Sequence, residues 1–245
     1  MKLKLIRKQR RQWLLILLLA ATAGCSDLSR IATQFPQAPG ATGLDGSTIV
    51  AGLREALQIG TTRTTEATGR VDGFLGNALI RIALPDSYQR IADAMRRVNL
   101  GSQVDELEVA MNRAAEKAAG EARTVFWDTI RAMTITDGLR ILQGGDMAAT
   151  EYFRGKTSAT LQSRFQPIVQ AKMQEVGLYR LHNDLANAYL SLPFSRKEHL
   201  VDLDQYVTDR ALRGLFTVLG QEEQRIRQDP AARTTELLRR VFGSR

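Results

Sequence analysis

The sequence is short of the residues that carry cross-links and metal chemistry. It holds one cysteine and two histidines in 245 residues. A single cysteine permits no intrachain disulfide, and the count excludes tetrathiolate and Cys/His zinc sites. Neither His182 nor His199 stands in an H-E-x-x-H pattern, and no G-x-S-x-G run supplies a nucleophile elbow. Long apolar runs are missing too. The longest, residues 13–24, is about a dozen residues, where a membrane-spanning helix needs roughly 20. Lysine is scarce beyond that run, occurring only at 117, 156, 172 and 197.

What is abundant is positive charge, 34 Lys+Arg against 26 Asp+Glu, for a net +8. Its placement matters more than its sum. Lys2, Lys4, Arg7, Lys8, Arg10 and Arg11 stand in the first 24 residues, which contain no acid. Without those six, 28 basic residues face 26 acidic ones from Cys25 onward, a net +2. That balance gives no warrant for a polyanion-binding protein, and nucleic acid is not an expected partner.

A basic head at 1–12, an apolar run at 13–24 and small residues before Cys25 read as a signal peptide. Two cleavage readings overlap. Ala21-Thr22-Ala23 fits the small-x-small site of the ordinary secretory peptidase, which would release a soluble periplasmic product. Thr22-Ala23-Gly24-Cys25 resembles the lipobox of bacterial lipoproteins, with Thr22 where Leu is commoner. The only cysteine of the chain stands where lipidation needs a thiol, so Cys25 is the expected lipidation site. Several acyl chains, at about 0.8 kcal/mol per buried CH₂, anchor a protein durably. Similarity to known sorting signals, with Ser26 after the cysteine, points to the outer membrane facing the periplasm. No cofactor is expected beyond that covalent lipid.

Residues 25–47 are rich in Gly, Pro and small residues and show no helical period, so they read as a flexible tether with a reach of roughly 25 Å. From Thr48 the period is helical, and 48–245 reads as one all-α domain of seven to nine helices. The first helix runs to about Ala67. GRVDGFLGN at 69–77 is a loop with an Asp-Gly turn signal. LIRIAL (79–84) alternates weakly and allows one short extended pair with LVDL (200–203). Asp86 is expected to cap a helix to Val98, and Gly101-Ser102 to open one with Val104, Leu107, Met111, Ala114 and Ala118 inward. Gly120 breaks it before Val125, Phe126, Ile130 and Met133 continue. Thr136 or Asp137 starts a short helix ending at Gly144-Gly145, with Asp146 capping the next. A helix or helix pair kinked near Pro167 follows, then Leu178–Leu190. Asp202 or Asp204 caps a long helix with Val207, Ala211, Leu215, Val218 and Leu219 inward. Asp229-Pro230 opens a final helix to Val241.

Four constellations bear on chemistry. Gly144-Gly145-Asp146 matches a cyclic-dinucleotide synthase signature only in three letters, and a helix stop plus N-cap explains it. Gly155-Lys156-Thr157 resembles the end of a P-loop, but Thr150 stands where that loop needs glycine. Glu198, His199, Asp202 and Asp204 gather an imidazole and three carboxylates, a set able to bind a hard cation or run acid–base catalysis, with helix capping as the plainer role. Arg225–Arg245 holds six Arg against Asp229 and Glu236, a cationic stretch that reads as a solvated helix face or a contact for anionic envelope groups.

DGFLGN (72–77), IRIALPDS (80–87), MNRAAEKAA (111–119), MTITD (133–137), LQGGDMAATEYFRGKT (142–157), FQPIV (165–169), VDLDQYVTDRALRGLF (201–216) and PAARTTELLRRVFG (230–243) resemble the bacterial family catalogued as domain of unknown function 4197. The resemblance runs from about Ile49 to the C-terminus. It implies an exported, largely helical protein of Gram-negative bacteria and transfers no catalytic residue. The expected function is a non-enzymatic domain that binds an envelope protein, lipid or cell-wall partner, tethered to the membrane through its N-terminal lipid. The alternatives are a metal-dependent or hydrolytic periplasmic enzyme using the 198–204 stretch, and a lipid or small-molecule carrier.

Overall fold

Eight α-helices follow one another in the computed structural model, which describes residues 46–175, 178–191, 201–233, 235, 236, 239 and 241. They are α1 (Gly46–Gly69), α2 (Asp86–Arg97), α3 (Gly101–Ala119), α4 (Ala122–Ala132), α5 (Ile135–Gln143), α6 (Ala148–Glu175), α7 (Leu178–Leu190) and α8 (Leu203–Gln228), with a 3₁₀ turn at Pro230–Ala232. The fold is all-α, as the periodicity indicates. The leader, Cys25 and the tether as far as residue 45 lie outside the described residues, while Gly46 and Ser47, read as the end of the tether, open α1.

The apolar stripes decide the packing. On α3 the inward positions Val104, Leu107, Met111, Ala114 and Ala118 are all buried, with Ala110, Ala115 and Ala119 beside them. Small side chains there let α6 and α8 approach α3 closely. Along α8, Val207, Ala211, Leu215, Val218 and Leu219 are buried as the sequence spacing requires. Phe126 of α4 sits edge-on to Phe153 of α6 at 5.2 Å and to Phe216 of α8 at 6.2 Å, the aromatic centre of the core. Burying each such ring contributes about 1.5–3 kcal/mol. Outside these, α1 lies against α8, α4 and α5, and α2 packs on α3 and α7.

Five expectations are corrected. The 79–84 segment forms no strand pair among the described residues: 79 and 80 lie in a turn, 81–85 carry no regular structure, Leu203 opens α8, and the Ile82 backbone is held by a side chain of α3. Pro85, not Asp86, is the N-cap of α2. The cap of α5 is Thr134, two residues earlier than expected, in a reciprocal capping box with Asp137. Pro167 stands inside one continuous helix, α6, not between two. Asp146 does not cap α6, whose first free N–H groups go elsewhere. The final helix to Val241 falls largely outside the described residues, and what is described after Asp229 begins with the 3₁₀ turn.

Candidate functional site

Several polar side chains that reach inside the fold bind its own backbone. Asn112 of α3 uses both ends of its amide on one residue: the Ile82 N–H donates to its Oδ1 at 2.9 Å, and its Nδ2 donates to the Ile82 carbonyl at 2.8 Å. One turn on, the buried Glu116 carboxylate accepts from the Phe74 and Leu75 N–H groups at 3.1 and 3.2 Å. Arg113 joins Glu116 at 2.7 Å and Asp72 at 2.8 Å. The hydrogen bond to Glu116, then that to Asp72, raises the Arg113 pKa above its ordinary value. Asp72 is left-handed, with φ 63°. At Gly73 a Cβ would sit 2.5 Å from the Ala67 carbonyl oxygen, so only glycine fits this turn.

A second carboxylate acts at the far side of the core. Glu223 of α8 accepts the N–H groups of Ala149 and Thr150 and the Thr150 hydroxyl, at 2.8–2.9 Å. It therefore caps α6 from another helix, the role the sequence assigned to Asp146. Arg227, four residues on, pairs with Glu223 at 2.9 Å and donates to the Ile141 carbonyl at the end of α5. The adjacent cavity, about 30 Å³ among Leu53, Leu57, Ile141, Leu219 and Ile226, has room for about one water and none for an acyl chain.

The Arg-rich C-terminal stretch is not simply a solvated face. Arg233 is buried and donates to the carbonyls of Ile226 and Arg227, so it closes the C-terminus of α8 alongside Arg227. Arg225 and Arg239 pair with Glu222 and Glu236.

At the start of α8, the Asp202 Oδ1 accepts from the Asp204 and Gln205 N–H groups at 2.9 and 3.1 Å, an N-cap. The Asp204 Oδ2 accepts the Tyr179 hydroxyl at 2.6 Å, and burial together with this bond pushes the Tyr179 pKa up to about 12. Tyr88 is also raised, by burial first and then by the nearby Asp202 charge. Glu198 and His199 lie outside the described residues. Among the described residues no cluster of three or more His, Cys, Asp or Glu is placed to hold a metal. Gly155-Lys156-Thr157 falls within α6, where the Thr157 hydroxyl donates to the Phe153 carbonyl and Lys156 lies over the Tyr152 ring. Gly144 ends α5, the helix-stop role read from the sequence.

Beside these groups opens a groove of about 480 Å³ along residues 81–85, continuing past the first turn of α2 to Tyr206 and Arg210 of α8. The Tyr206 hydroxyl donates to the Ala83 carbonyl at 2.9 Å, and Arg210 stacks on the Tyr206 ring at 5.1 Å. A shallower groove of about 340 Å³ runs along α1 between Glu55, Arg63 and Trp127. Sequence reasoning missed Asn112, Glu116 and Glu223. The signal for Glu223 is present, because it continues the buried series Ala211, Leu215, Leu219 by four residues, and a charge on an apolar stripe needs a buried partner.

Fold and site together define an all-α domain in which Asn112, Glu116, Glu223 and Arg233 are tied to its own backbone, with a polar groove open at its surface. The chain belongs to the family described as protein of unknown function (DUF4197), whose model matches residues 43–243. No curated protein and no solved structure matches it.

Proposed function

We propose that the chain is an envelope lipoprotein whose helical domain is a binding module facing the periplasm, with its ligand seat in the groove along residues 81–85. The observation that carries the address is Cys25, the only cysteine, closing Thr22-Ala23-Gly24 after a basic and apolar leader. The binding role draws support from how the interior is used. Asn112, Glu116, Glu223, Asp202 and Asp204 all serve the fold through hydrogen bonds and so hold a fixed surface. The groove sets polar side chains such as Ser87, Tyr206 and Arg210 beside the apolar Leu84 and Pro85, so it can meet a ligand with both kinds of group.

Metabolic labelling with an alkyne fatty acid, followed by membrane fractionation, tests the address. The wild-type protein is expected to carry label and to float with outer membranes. Cys25→Ala is expected to lose the label and appear in the soluble fraction. Label retained by Cys25→Ala, or an unlabelled wild-type protein, would overturn the lipoprotein reading.

A further inference from the structure

Half-buried side chains recur along α1 at Glu55, Gln58, Ile59, Thr62 and Arg63, at steps of three and one, which places them on one face of the helix. At about 1.5 Å per residue, that face is about 12 Å long. Trp127 of α4, half-buried as well, stands on the other side of the groove of about 340 Å³. The polar groups of this lining are little used by the fold. Among the described residues the Glu55 carboxylate, the Gln58 amide and the Thr62 hydroxyl make no hydrogen bond. The Arg63 Nη1 stands 3.8 Å from the Glu222 Oε2, beyond hydrogen-bond reach, and the Trp127 indole N–H is buried without an acceptor. A buried indole N–H ordinarily finds a partner, so nothing but packing and Arg123, stacked on the ring at 4.9 Å from outside the groove lining, holds this one.

These features select a class of ligand. The two charges on the lining, Glu55 and Arg63, are of opposite sign, so neither an anion nor a cation is preferred. The backbone of α1 is bonded within its own helix and offers no edge to an extended peptide. Ile59 and Trp127 are too few apolar anchors to seat a partner helix. What remains is an aromatic wall beside an amide, a carboxylate, a hydroxyl and a guanidinium, which together give and take hydrogen bonds with neutral hydroxyls. A sugar is the complement of such a wall, with an apolar C–H face to its ring and hydroxyls around the rim. We infer that the groove between α1 and Trp127 binds a neutral oligosaccharide, a sugar ring against the indole and its hydroxyls on Glu55, Gln58, Thr62 and Arg63. This site is separate from the groove along residues 81–85 and does not depend on the lipid at Cys25.

The test uses the full chain in detergent with Trp13→Phe, which leaves Trp127 as the only indole. Chitotetraose and maltotetraose, neutral sugars with and without acetamido groups, are titrated by calorimetry while Trp127 emission is followed in parallel. Saturable binding of at least one of them at millimolar sugar is expected, with Trp127 emission changing along the same curve; which sugar binds tells acetamido sugars from plain hexoses. Gln58→Ala and Thr62→Ala remove side chains that make no hydrogen bond in the fold, so each is expected to keep the melting temperature and to weaken sugar binding at least threefold. No heat with either sugar at millimolar concentration, binding that leaves Trp127 emission unchanged, or undiminished affinity in both variants would each overturn the inference. So would a Trp127 response to tetraglutamate or tetralysine as strong as that to the sugars, since the site would then select charge.

Discussion

Glu223 shows how much one side chain can hold. Its two carboxylate oxygens take two backbone N–H groups, a hydroxyl and a guanidinium, and Arg227 passes the connection on to α5. Both side chains of the pair are less than a tenth exposed, so water screens them little. Removing one partner of such a buried pair leaves the other charged and unmet. Glu223→Ala is accordingly expected to destabilise the protein by about 3–5 kcal/mol. The double change Glu223→Leu with Arg227→Met is expected to recover part of that loss. Urea unfolding of the three variants measures both effects, and an equal loss in the single and double variants would contradict the account. Asn112 acts in the same way on a smaller scale. Asn112→Leu leaves the Ile82 N–H and carbonyl without partners and is expected to cost about 1–3 kcal/mol for the orphaned groups and to speed exchange of the Ile82 amide.

At the scale of elements, helix ends matter as much as helix faces. The Thr134–Asp137 box starts α5, and Thr134→Ala is expected to lower stability by about 1 kcal/mol. The Asp137 carboxyl is held below its usual pKa, first by the Thr134 hydroxyl and then by the Thr134 N–H. A depressed carboxyl pKa stabilises the fold above the ordinary value of about 3.9 and loses that effect as pH falls through the folded value. The melting-temperature gap between wild type and Asp137→Asn should therefore be full at neutral pH and close in acid; a gap independent of pH would refute the box as its source. Close contact matters too. On α8, a Cβ at Gly214 would lie 2.5 Å from the Phe74 ring and 3.1 Å from Ile80, so Gly214→Ala is expected to destabilise by about 1–3 kcal/mol through overpacking.

Elements were largely legible in the sequence because apolar residues recur at helical spacing, and the stripes of α3 and α8 came out residue by residue. The ends were less so. By residue type Asp146 is the better cap, and only the packing of α6 on α8 brings the distant Glu223 carboxylate to the N–H groups instead. The alternation at 79–84 suggested a strand, but the partner of Ile82 proved to be a side chain. A side-chain amide can replace a strand for a single residue, and no period announces it. At the start of α8, Asp202 is one of the two caps the sequence offered, with Asp204; in the groove, Ala83 and Tyr206 carried no signal, since their role comes from a hydrogen bond between residues 123 positions apart.

For the whole molecule, no described helix is long and apolar enough to cross a membrane. The proposed address is tested at Cys25. The same scale brings out what the distant cap implies. Glu223, Arg227 and Arg233 all stand in the last 23 residues, yet they complete helices that begin at Ala148 and end at Gln143 and Gln228. A chain ending at Gln221 is expected to keep helical circular dichroism and to lose its cooperative melting transition. For a polypeptide threaded through a pore with its N-terminus leading, the keystone arrives last. Until it emerges, α5 and α6 have open ends, so export of the kind proposed would carry a chain that completes these helices only once its tail is through.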